Sequence, residues 1–137
     1  MGNLLTPRGV LLYGGIILLV LGVGGMTFLG PTPEASALGE FNWLDGAENV
    51  AHLVLGVVAL GAYYMLKDAQ LQKWLVALVG IIAAIATVVG FMNAGAPVPN
   101  AGVTNLEFSD NIIHLVVAAW ALYAAFMTKA GSSAEGA

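Results

Sequence analysis

Cysteine is absent from the 137 residues, and charge is nearly so: 9% of the chain is Asp, Glu, Lys or Arg. Without cysteine there is no disulfide framework, no thiolate metal site and no cysteine nucleophile. Only Arg8, Lys67, Lys73 and Lys129 are basic. So few cations exclude a nucleic-acid partner, whose phosphates need several Lys or Arg contacts. So little charge of either sign also cannot clothe a water-soluble domain, and the 59% hydrophobic content agrees. Other signatures are missing too. No Ser stands with either His as a nucleophile–base pair, and no phosphate loop or dinucleotide fingerprint occurs among the glycines. The chain is read as non-enzymatic.

What the sequence does contain is four apolar runs, at 9–29, 50–66, 74–92 and 112–128. Each approaches the roughly 20 residues that a helix needs to cross about 30 Å of hydrocarbon. None alternates as a barrel strand would. The run at 9–29 follows Arg8 and precedes Ala35-Ser36-Ala37, as a secretion signal would, but it is too long and glycine-rich for one. It is read as a span. Residues 1–137 are therefore expected to form one all-α integral membrane domain, a four-helix bundle.

Arg8 precedes the first run, Lys67 and Lys73 lie between the second and third, and Lys129 follows the fourth. Four spans bring these places to one side, while the loops 30–47 and 93–109 hold no basic residue. Positive charge is retained inside, so both termini are expected in the cytoplasm. Trp74, Tyr13, Tyr63 and Tyr64 then fall near the inner surface and Trp43 near the outer one, as interfacial anchors. Glu34, Glu40, Asp45, Glu48, Glu107 and Asp110 make the outer face acidic. The inner halves of the helices are nearly all apolar, which argues against conduction.

The chain also reads as written twice, about 9–67 and again about 72–129. A shift of 62 lays Asn49, His52, Leu53, Val54, Ala59, Leu60, Ala62, Met65 and Lys67 on identical residues. A shift of 65 lays Gly15-Ile16-Ile17 on Gly80-Ile81-Ile82, and Gly25 on Gly90. Both outer loops carry Pro-x-Pro, at Pro31-Thr32-Pro33 and Pro97-Val98-Pro99. Because both copies start inside, the expected relation is two parallel helix–loop–helix repeats about an axis along the membrane normal. Small residues on the first and third spans suit close helix contact in lipid.

One constellation carries chemistry. Asp45, Glu48, Asn49 and His52 open the second helix, and Glu107, Asp110, Asn111 and His114 open the fourth. Their spacing places them along one stripe, continued by Gly56 and Ala59, and by Ala118 and Ala121. Both imidazoles are expected to point into the bundle, one to two turns below the outer surface, where ionisable groups are costly. Four readings follow, one of them transport or a proton relay through the histidines. Glu48, His52, Asp110 and His114 form a possible N2O2 set for zinc or another divalent metal. Alternatively, His52 and His114 are axial ligands of a tetrapyrrole, chlorophyll or haem; haem lacks an outer Arg or Lys for its propionates. Otherwise the set is structural. Asp45 and Glu48 form a capping box, Thr104 and Glu107 a second one, Asn49 and Asn111 tie loop to helix, and each His bonds its own i−4 acid or the facing helix. Trp120, expected mid-membrane, needs a partner for its N–H.

The motif Glu48-Asn49-Val50-Ala51-His52-Leu53, repeated as Asp110-Asn111-Ile112-Ile113-His114-Leu115, resembles a family of small bacterial four-helix membrane proteins of unknown function. The likeness covers the whole layout but rests on two short motifs, and the second copy has Ala118 where the first has Gly56. It implies the bacterial inner membrane, with the His motifs towards the outer leaflet, and supplies no substrate. A looser likeness to chlorophyll-binding helices lacks the Arg that follows their ligand; Leu53 and Leu115 stand there instead. The expected role is a structural or accessory subunit, partnered by lipid and by other membrane subunits or further copies of itself.

Overall fold

A computed structural model describes residues 3–128. Among them are four long helices and no strand: α1 (Pro7–Thr27), α2 (Gly46–Met65), α3 (Ala69–Met92) and α4 (Phe108–Phe126). All four are long and apolar enough to cross a membrane. Lys129 lies outside the described residues.

Each helix begins where a side chain can hold free backbone N–H groups. Thr6 accepts from Gly9 N–H at 3.1 Å, with Pro7 preset for the first turn. Asp45 accepts from Glu48 N–H at 2.9 Å, and Glu48 returns the bond by accepting from Asp45 N–H at 3.0 Å. Asp68 accepts from Gln70 and Leu71 N–H, so α3 starts five residues before its apolar run. At α4, Asp110 accepts from Glu107 N–H at 3.1 Å. In α1, the stretch Val10–Gly14 is a π-helical turn.

The helices pack as two tight pairs, α1 with α2 and α3 with α4. Only three residues separate α2 from α3, and Gln72 locks that turn by donating to Leu66 C=O at 2.7 Å. Within the pairs, glycines receive leucines. A Cβ at Gly15 would come within 2.9 Å of Leu60 Cγ, and one at Gly80 within 2.8 Å of Leu122 Cγ. Lipid tails are as apolar as leucine, so these contacts stabilise by dispersion and close fit rather than by escape from water.

The two pairs meet in a core of small and branched residues towards the basic end: Val10 and Leu11, Ala59, Val76 and Ala77, and Ala121, Ala124 and Ala125. Above it, Arg8 lies 4.3 Å from the centroid of the Tyr63 ring, and Lys73 reaches Trp74 and Phe126. The start of each odd-numbered helix thus sits beside the end of the next one. Arg8, Lys67 and Lys73 gather at one end of the bundle and Asp45, Glu48, Glu107 and Asp110 at the other.

One aromatic expectation changes and one is met. Trp43 is 7% exposed, buried rather than presented at the interface. Trp120 does find its acceptor, donating to Leu4 C=O at 2.7 Å, so the N-terminal segment folds back against α4.

Candidate functional site: the polar cap and the histidine pair

The acid-bearing ends of α2 and α4 lie under loops that have exchanged hands. Asn42, from the loop after α1, donates to Asp110 Oδ1 at 3.1 Å and to Ser109 Oγ at 3.0 Å. Ser109 in turn donates to Phe41 C=O. In the opposite direction, Thr104 O–H and Asn105 N–H, from the loop after α3, both donate to Asp45 Oδ2 at 2.8 Å. Each loop therefore satisfies an acid at the head of the other pair's helix. Asn42 and Thr104 are mates at the 62-residue shift (42 + 62 = 104), a signal available in the sequence but silent about which acid each would reach.

The carboxylates are largely engaged in this joinery. Asp45 caps its own helix through one oxygen and takes the loop donors through the other. Asp110 uses both oxygens, on Glu107 N–H and on Asn42. Glu48, 7% exposed, uses one oxygen and leaves Oε1 without a donor. Glu107 accepts from Asn105 at 2.6 Å through Oε1 and leaves Oε2 buried and bare. Burial pushes the Glu107 carboxyl up to about 8, helped by its contact with Asp110. Exposed Glu34 shows the reverse, its carboxyl lowered by a backbone hydrogen bond and by Thr32.

Beneath the acids, Asn49 and Asn111 are inserted between helices. Asn49 donates to Leu44 C=O at 3.2 Å, tying loop to helix as expected. Its Oδ1 occupies the space a Cβ on Gly25 would need, and Asn111 Oδ1 stands in the same relation to Gly90. That is the structural meaning of the Gly25/Gly90 match, which the sequence shows without explaining. For Asn111 the close partner is this glycine rather than the loop.

One turn further in are His52 and His114, both half-buried. Neither bonds its i−4 acid: Nδ1 of each is buried without a partner, because Glu48 and Asp110 are turned back to their own helix starts. The same turning keeps the expected four-ligand set apart. Among the described residues, no three or more His, Asp or Glu side chains are gathered as a metal would need.

No curated protein and no solved structure matches the chain. A family model does, over residues 8–127, and the chain accordingly belongs to the family described as a domain of unknown function, DUF4383.

Proposed function

We propose that this protein is a non-enzymatic membrane bundle that serves as a structural or accessory subunit of a larger membrane assembly. The observation carrying this reading is how its polar side chains are used. Asp45, Asp110, Asn42, Asn49, Thr104 and Ser109 bond to backbone or to one another, and hold the two helix pairs together. The broad remaining surface is apolar, including a cleft of about 300 Å³ between α3 and α4 lined by Ile81, Ala84, Ile85, Val88, Val89 and Leu122. In the bilayer that surface takes lipid tails, neighbouring helices or further copies of the chain. Extraction in mild detergent followed by native mass spectrometry tests this. A stable hetero- or homo-oligomer is expected, and a strict monomer without partners refutes it.

Within this reading the chain is a duplicated unit with both termini in the cytoplasm, in a bacterial inner membrane. Support for duplication comes from paired contacts: Gly15 on Leu60 against Gly80 on Leu122, and Gly25 on Asn49 against Gly90 on Asn111. Support for orientation comes from the collection of Arg8, Lys67 and Lys73 at one end. Since the chain has no native cysteine, Val103→Cys is expected to react with an impermeant maleimide on intact cells. Lys67→Cys is expected to react only after permeabilisation.

The unpartnered Nδ1 atoms favour a second reading, in which His52 and His114 hold a cofactor. A tetrapyrrole, chlorophyll or haem, is the better fit than a divalent metal, because it needs one imidazole rather than a gathered set. An absorption spectrum and metal analysis of the native protein beside the His52→Leu/His114→Leu form decide it. A Soret or red band, or stoichiometric metal, lost in the variant supports the cofactor. A colourless, metal-free native protein removes it.

A further inference from the structure

The two helix pairs are packed alike until one contact. In the first pair Leu60 sits on Gly15 and, one turn on, Leu19 sits on Gly56, where a Cβ would come within 2.8 Å of Leu19 Cγ. In the second pair Leu122 sits on Gly80 in the same way. The next contact is missing, because the mates of Leu19 and Gly56, at the shifts of 65 and 62, are Ala84 and Ala118. There the cleft of about 300 Å³ opens between α3 and α4, with Ala84 and Leu122 both in its wall. A place that the first pair fills with its own aliphatic side chain is left open in the second.

We infer that this cleft holds one acyl chain of a zwitterionic phospholipid, lodged as a fixed part of the bundle in the leaflet beside the acidic end. The wall selects hydrocarbon. All six lining residues are aliphatic, and Thr87, the one polar residue from Ile81 to Val89, donates its hydroxyl to Ala83 C=O at 2.9 Å. Length fits as well. The lining runs from Ile81, at the middle of α3, to Val89, about 12 Å of helix axis, against about 15 Å for the hydrocarbon of one leaflet. Ile81, Ile85 and Val88 are exposed along it, at spacings of four and three that keep them on one face, so a chain enters sideways from the bilayer. Within lipid, burial from water contributes nothing, and close fit on two helices separates a lodged chain from a passing one. Charge sets the headgroup. The lining runs towards the end that carries Glu34, Glu40, Asp45 and Asp110, whose loops hold no Lys or Arg. A fatty-acid carboxylate or an anionic headgroup is repelled there, and a net-neutral phospholipid is not. The inference rests on the bundle spanning a bilayer, and not on its being a subunit of an assembly.

The test is native mass spectrometry of the full-length protein, delipidated in dodecyl maltoside and titrated with dioleoylphosphatidylcholine. One lipid is expected to stay bound after collisional activation has stripped the rest, and oleate to bind about tenfold more weakly. Ala84→Leu/Ala118→Gly writes the first pair's leucine–glycine contact into the second. It should weaken retention about tenfold and leave the helical circular dichroism unchanged. The reverse exchange, Leu19→Ala/Gly56→Ala, should let the first pair take up a second lipid, and it decides alone if Ala84→Leu/Ala118→Gly fails to fold. No lipid retained by the parent, equal retention in a folded Ala84→Leu/Ala118→Gly protein, or no second lipid in the reverse exchange overturns the inference. A lipid-free dimer of the parent that Ala84→Leu/Ala118→Gly abolishes also overturns it, and assigns the cleft to a second copy of the chain. Lipid and subunit count are read from separate masses. A lipid-bearing monomer therefore refutes the subunit role alone, and a lipid-free oligomer refutes the lodged chain alone.

Discussion

Replacing Gly25 with Ala should damage the protein out of proportion to one methyl group. The new Cβ would overlap Asn49 Oδ1 and come within 2.9 Å of Leu44 Cβ. Asn49 cannot swing away cheaply, because it is 3% exposed and its amide holds Leu44 C=O. Overpacking of this kind costs about 1–3 kcal/mol, and losing the Asn49–Leu44 bond adds about 1 kcal/mol. A total of about 2–4 kcal/mol is a large share of a stability of about 5–15 kcal/mol. Denaturation by SDS titration, followed by circular dichroism in mixed micelles, measures it for Gly25→Ala, Asn49→Ala and the double variant. Asn49→Ala removes the obstacle, so the double variant should cost less than the sum of the singles, with a coupling of about 1–3 kcal/mol. Gly90→Ala with Asn111→Ala should behave alike, since a Cβ at Gly90 meets Asn111 in the same way. A Gly25→Ala protein within about 0.5 kcal/mol of the parent, or strict additivity, would refute the packing argument.

Three other perturbations probe different joints. Thr104→Val removes a 2.8 Å donor from Asp45 Oδ2, and should cost about 1 kcal/mol while speeding amide exchange in both outer loops. Trp120→Phe frees Leu4 C=O; it should leave global stability within about 1 kcal/mol yet raise proteolysis of the N-terminal segment. Because the folded Glu107 carboxyl titrates near 8, above its unfolded value, the folded state holds the extra proton between those values. Stability is then full below about 4.5 and falls as pH rises to about 8, by about 1–2 kcal/mol once the group's partial exposure is discounted. Glu107→Gln should flatten that slope, and an unchanged slope in this variant would exclude Glu107 as its cause.

Much of this arrangement is legible in the sequence, for identifiable reasons. Four apolar runs, three of them preceded by Asp or Glu and the first by Thr6, are visible because a span must be long and a helix start needs an acceptor. The helices overrun those runs at 46–49, 69–73 and 108–111, where capping acids carry the backbone onward through polar residues. The placement of the bases at one end follows from counting spans. The interlocked loops were not legible, since Asn42 and Thr104 are ordinary loop residues until the fold brings each to the opposite helix. The histidines show the opposite failure. Their spacing from Glu48 and Asp110 suggests an i−4 bond or a shared metal, but helix starts compete for the same carboxylates and take them. Trp43 misled because aromatic residues at a boundary serve equally as anchors and as plugs.

The exchanged loops carry a consequence for how the chain comes into being. The α1–α2 hairpin leaves the ribosome first, with its leucine–glycine seam already complete. Asp45, however, must wait for Thr104 and Asn105, which arrive some sixty residues later. Until then the early hairpin displays an acid whose Oδ2 lacks both loop donors, while Oδ1 still caps its own helix. An unfinished molecule is thereby distinguishable from a finished one by a single exposed charge, and a truncated product cannot hide the fact that its second half never came.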